Sequence, residues 1–130
     1  MKITALSFFT IILASISISQ VAPLPILLPA PGNAPYSAVN PDDPNDVESG
    51  NGSFEIATAD VPESSPSLVC APQYITGRLL GIICKGSDWH IWTDCTDGYR
   101  YKGGPFSGFY RAQIICPEGY ASIRGGASDH

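Results

Sequence analysis

Apolar and polar residues alternate with a period of two through the second half of the chain, in short runs rich in aromatic and β-branched side chains. The runs are YITGRLLGIIC (Tyr74–Cys84), WHIWTDC (Trp89–Cys95), YRY (Tyr99–Tyr101), FYRAQIIC (Phe109–Cys116) and YASI (Tyr120–Ile123). Between them lie KGSD, TDG, KGGPFSG, PEG and RGG, each with a glycine or proline suited to reversing the chain. The pattern predicts five short strands in an antiparallel meander or small barrel, with no helix of useful length after Pro66. Ser53–Val61 is a weak candidate for one or two helical turns.

The alternation also assigns faces. In WHIWTDC, Trp89, Ile91, Thr93 and Cys95 share one face, which by composition is the core face. His90, Trp92 and Asp94 share the other and are expected outward. In FYRAQIIC, Phe109, Arg111, Gln113 and Ile115 lie together, opposite Tyr110, Ala112, Ile114 and Cys116. Arg111 is therefore expected on a strand, facing solvent or a site.

The first half reads differently. Residues 1–19, MKITALSFFTIILASISIS, carry one lysine, an apolar run and small residues at Ser17 and Ser19, the pattern of a secretory signal peptide with no stop-transfer flank and no transmembrane anchor. Residues 20–65 hold eight prolines and seven carboxylates and neither lysine nor arginine. So many prolines break helices and so little apolar bulk buries poorly, so this stretch is expected to be a disordered acidic linker or pro-segment. Residues 66–130 are then the β-rich folded domain.

Charge divides along the same line. Residues 66–130 carry six basic side chains against five acidic ones, so the net charge of −5 belongs to the preceding segment. Secretion makes the four cysteines, Cys70, Cys84, Cys95 and Cys116, candidates for two disulfides, with three pairings open. A domain this small needs such staples. No cysteine or histidine spacing fits a metal, and no cofactor motif is present. Asn51-Gly52-Ser53 is a glycosylation sequon.

Candidate chemistry is sparse. His90 and His130 are the two histidines, and His90 is the better placed for proton transfer. A basic and aromatic set stands out: Trp92, Tyr99, Arg100, Tyr101, Lys102, Arg111 and Arg124. Rings that stack and arginines that meet phosphate are how single-stranded RNA is held, and the same rings would serve a carbohydrate. An ordinary hairpin strand has the same alternation.

The order of these residues resembles the C-terminal half of the fungal guanyl-specific ribonucleases. Trp92, the Tyr101-x-Gly103-Gly104 turn, Arg111 and Gly126-Ala127-Ser128 carry the resemblance, with Ala71-Pro72-Gln73-Tyr74 as a degraded form of a P-H-x-Y segment. It implies an α+β ribonuclease-like sheet. The catalytic positions depart from the family: Ile91 stands for the glutamate base, Gln73 for one histidine, and Arg124 or Gly125 for the general acid. RNA cleavage through the 2′-hydroxyl needs both a base and an acid. The chain thus looks like the non-catalytic ribonuclease-like effectors secreted by powdery mildews and related plant-pathogenic fungi. The resemblance implies a monomer delivered to a host, binding host RNA or a host protein through the basic and aromatic set. A weak ribonuclease using His90 and Arg111 is one alternative. A small secreted carbohydrate-binding or toxin-like cysteine module is the other.

Overall fold

The computed structural model describes residues 27–130, so the signal-peptide expectation for residues 1–19 lies outside the described residues. The described chain forms eight strands and, among these residues, no helix: β1 Pro35–Asn40, β2 Asp43–Asn51, β3 Ser53–Ile56, β4 Val69–Cys70, β5 Tyr74–Thr76, β6 Leu79–Cys95, β7 Tyr99–Ile115 and β8 Ser122–Ser128. Every pairing is antiparallel. The mainly antiparallel β expectation holds. The α+β arrangement implied by the ribonuclease resemblance does not describe this fold, and Ser53–Ile56 is a strand, not a helical turn.

The organising element is one long hairpin, β6 and β7, each of 17 residues. Two of the segments expected to reverse the chain, KGSD and KGGPFSG, instead lie inside these strands. They face each other across the pair, with Gly86 opposite Gly108 and Trp89 opposite Phe106, and the register shifts between them. Turn residues on both strands at one level bend the whole hairpin instead of ending it. The shift also changes which alternate residues point inward. Leu80, Ile82 and Cys84 are buried before it, and Trp89, Ile91, Thr93 and Cys95 after it.

The bend folds the hairpin onto itself. Fully extended, it would separate Cys95 at its tip from Cys116 at its base by roughly 50 Å. A disulfide holds their Cα atoms 5.9 Å apart. Between the two halves lies the core, with Leu80, Ile82, Tyr110 and Ile114 on one side and Trp89, Ile91 and Tyr101 on the other. The second disulfide, Cys70–Cys84, joins directly opposed residues of β4 and β6.

The acidic, proline-rich stretch is part of this sheet. β1 pairs with the C-terminal half of β7, and β3 with its N-terminal half. The expectation of a disordered linker is therefore corrected for residues 35–56. Proline is tolerated at strand starts and edges, and here Pro35 opens β1 while Pro44 lies near the start of the edge strand β2. The segment has few large residues because Tyr36 alone does much of the packing, lying across Gly103 and meeting Phe106 edge-on at 5.7 Å.

Candidate binding surfaces

The predicted basic and aromatic set does not form one surface. Pairing of β6 with β7 and β8 sets Arg100, Asp94 and Arg124 in one row across three strands, with Lys102, Trp92 and Gly126 in the next. This face was expected to be open to solvent, and it is not. Trp92, Asp94 and Arg100 are each 3% exposed, because residues 57–65 cross over them.

Within the row the Asp94 carboxylate takes both guanidiniums. Arg100 donates through Nε to Oδ1 at 2.7 Å and through Nη2 to Oδ2 at 3.0 Å, and Arg124 donates through Nε to Oδ2 at 2.7 Å. The carbonyl of Thr58 in the covering segment accepts from Nη2 of both arginines. Arg100 Cζ lies 4.7 Å from the centre of the Trp92 ring and Arg124 Cζ 5.9 Å from it. Burial alone would push the Asp94 carboxyl up, but the hydrogen bonds from Arg100 and Arg124 outweigh it and hold the group below its ordinary 3.8. The bond to Asp94 likewise raises Arg100. Lys102 lies 3.7 Å from Glu55. The sequence shows these charges but not their partners, so the internal pairing was missed.

The tyrosines are structural as well. Tyr101 is fully buried; its hydroxyl donates to Asp97 Oδ2 at 2.8 Å and accepts from the Gly32 amide at 3.2 Å. Burial, with help from the bond to Asp97, pushes its pKa up to about 12. Tyr99, half-buried, donates to the Pro29 carbonyl at 2.6 Å. Neither ring is free to stack on a ligand base.

Arg111 stands apart from the rest. It is exposed on β7, between Val39 of β1 and Ile83 of β6, and has no ion-pair or hydrogen-bond partner among the described residues. The flanking rows put Tyr74, Gly81 and Gln113 on one side and Val69, Lys85 and Phe109 on the other. Gln113 Nε2 donates to the Tyr74 hydroxyl at 3.2 Å, and that ring covers Gly81. Val47, Val69 and Tyr74 are 53%, 66% and 44% exposed. No carboxylate stands in these rows. Asp46 of β2 turns the other way, accepting a hydrogen bond from Tyr110 at 2.9 Å. Lys85 was missed as a member of this face because KGSD reads as a turn. The outward placing of Arg111 was legible from alternation.

The catalytic candidates do not meet. His90 pairs with Ser128 in one half of the hairpin, whereas Arg111 pairs with Ile83 in the other, beyond the bend. His90 is half-buried, and burial, aided by the charge of Lys102, lowers its pKa below 6.5. Of the positions matched to ribonuclease catalysis, Ile91 is fully buried, Gln73 is exposed and Arg124 is bound to Asp94. Asn51 of the sequon is exposed at the end of β2. Among the described residues no cluster of side chains suits a metal, and no helix is long and apolar enough to cross a membrane.

No family model, curated protein or solved structure matches the chain.

Proposed function

We propose that this is a secreted, non-catalytic binding protein that engages a host protein through the Arg111 face. This is the role that the resemblance to ribonuclease-like fungal effectors implies, moved to a different surface. The observation that carries it is the division of the arginines: Arg100 and Arg124 are both bound to Asp94, while Arg111 and Lys85 stand among exposed apolar side chains with no carboxylate in their rows. The two disulfides fit an extracellular compartment.

A protein partner fits this face better than RNA. Affinity for RNA rises with the number of phosphates neutralised, and two cations beside one exposed tyrosine, Tyr74, supply little. A partner presenting carboxylates and apolar groups would use the same two cations together with Tyr74, Val69 and Phe109.

The test is a pair of titrations followed by fluorescence anisotropy, one with a labelled uridine 20-mer and one with a labelled peptide alternating glutamate and leucine. The peptide is expected to bind, and Arg111→Glu to abolish binding. RNA binding that falls steeply with salt and is lost in Arg111→Glu would overturn the protein-partner reading. Titration of neither probe would overturn the assignment of this face.

A further inference from the structure

The edge of the sheet where β5 and β8 approach each other opens into a groove that the reading above leaves unused. At one end the two strands touch: the Ser122 amide donates to the Gly77 carbonyl at 3.0 Å. Each runs antiparallel to β6, β5 against the half before the bend and β8 against the half after it. Residues from both sides line a cavity of about 510 Å³. The volume lies in the usual range for ligand sites. Trp92 and Ile82 of β6 line it from below, and Pro62 of the covering segment lies at its side.

Three features of the groove point to its ligand. First, one wall presents a strand edge: β8 pairs only with β6 among the described residues, and Cys70–Gln73, the end of β4 and the link to β5, form the wall facing it. An unpaired edge is where an extended chain adds.

Second, the floor offers a donor. Trp92 is 3% exposed, yet its Nε1–H has no acceptor among the described residues, and no fully enclosed side-chain nitrogen or oxygen lacks a partner. The indole N–H therefore opens to the groove. It is also the atom nearest to where a side chain on Gly126 would begin, at 3.6 Å.

Third, the lining contains no charged residue, in a chain with 12 acidic and seven basic side chains. Trp92 is 3% exposed and the Arg100 and Arg124 guanidiniums lie 4.7 and 5.9 Å from its ring centre, so the ring offers little open face. A sugar ring would need an open ring face to stack.

From the unpaired β8 edge, the free indole N–H and the neutral lining, we propose that this groove binds an extended, uncharged peptide segment as a strand added to β8. One of its carbonyls accepts from Trp92 Nε1–H, and its small side chains fill the space left by Gly126. This site is separate from the Arg111 face, so each reading stands or falls without the other.

The experiment uses the disulfide-intact protein to select from a random nonapeptide library displayed on phage. The peptides recovered are synthesised and titrated while the Trp92 indole N–H resonance, assigned with Trp92→Phe, is followed by NMR. Uncharged, β-forming sequences are expected to be enriched and to shift that resonance. Gly126→Val fills the groove and should weaken them at least tenfold. Gln73→Asp, at an exposed rim position that does not threaten the fold, should weaken them by a similar factor, while Arg111→Glu should leave them unchanged. No enrichment over the bare support would overturn the proposal. So would peptides that bind Gly126→Val and Gln73→Asp as well as the native protein, or an indole resonance moved by tetra-N-acetylchitotetraose and by no peptide.

Discussion

Arg100 and Arg111 lie on the same strand, eleven positions apart, and have opposite fates. Arg100 is buried under residues 57–65, held by a carboxylate and a carbonyl, and serves the fold. Arg111 lies beyond the bend, on an uncovered face, without a partner among the described residues. The residue type and the strand are the same. What differs is the pair of neighbouring strands: β6 sets Asp94 and β3 sets Glu55 opposite Arg100, whereas β6 brings Ile83 and β1 brings Val39 to Arg111. A basic stripe in a sequence is thus not a basic surface until its cross-strand partners are known.

The sharpest way to break this contrast is to remove Asp94. In Asp94→Ala the Arg100 guanidinium remains buried without its counter-charge, a change that typically costs about 3–5 kcal/mol. Chemical denaturation should show a loss of that order, while peptide binding at Arg111 stays the same in whatever fraction remains folded. A loss under 1 kcal/mol would mean that residues 57–65 lift away easily and that Arg100 is not committed to the fold. The pH dependence gives a second readout. Asp94 has a native pKa below its unfolded value, so its contribution is present above about 3.8, the ordinary value, and is lost as pH falls through the lower native value. Native protein should lose that increment of stability in acid, and Asp94→Ala should not show it.

Next in size is the Cys95–Cys116 disulfide, which ties the hairpin tip to its base and so keeps the two halves together. Its sequence separation is 21, and removing a cross-link closing a loop of that length costs about 3 kcal/mol in the chain-entropy description. Cys95→Ala with Cys116→Ala should lower the denaturation midpoint accordingly. Cys70→Ala with Cys84→Ala, which frees only the short β4 edge, should cost less; the reverse order would show that the fold-back does not depend on the tip.

How much of this was legible follows from which residues carry local signals. The core face of Trp89, Ile91, Thr93 and Cys95 was plain from alternation, and the TDG and PEG turns fall where glycine requires, with Gly98 and Gly119 at φ of 93° and 91°. The glycines of RGG misled, because Gly125 is demanded by packing and not by a turn: a Cβ there would lie 2.3 Å from the Trp92 carbonyl and 2.4 Å from Leu80. The strand therefore runs on to Ser128. Residues 35–56 were misread because edge strands need little apolar bulk of their own when Tyr36 and the β7 backbone supply the contact. The binding set was misread for the same reason as the linker. Residues 57–65, which cover Trp92 and Arg100, show no pattern in the sequence that places them there.

A smaller effect separates the buried tyrosine from the exposed rings. Tyr101→Phe removes a hydroxyl that donates to the buried Asp97 and accepts from the exposed Gly32 amide, leaving one buried carboxylate oxygen short of a partner. The expected cost is about 1–2 kcal/mol. Tyr74→Phe, whose ring is 44% exposed, should cost well under half of that. Equal costs for the two would mean that the segment around Gly32 is not held through Tyr101.

Smallest in stability, and most telling for function, is Arg111→Ala. A side chain that is exposed and unpartnered among the described residues should change the free energy of unfolding by no more than about 0.5 kcal/mol. Its effect should appear in binding alone: loss of the acidic peptide, with Arg124→Ala, whose guanidinium is committed to Asp94, leaving that affinity unchanged. The two substitutions therefore exchange their effects, one moving affinity without stability and the other stability without affinity. If Arg124→Ala weakened binding as much as Arg111→Ala, the covered face would have to open in solution. The division between a structural arginine and a recognition arginine would then be a matter of equilibrium instead of position.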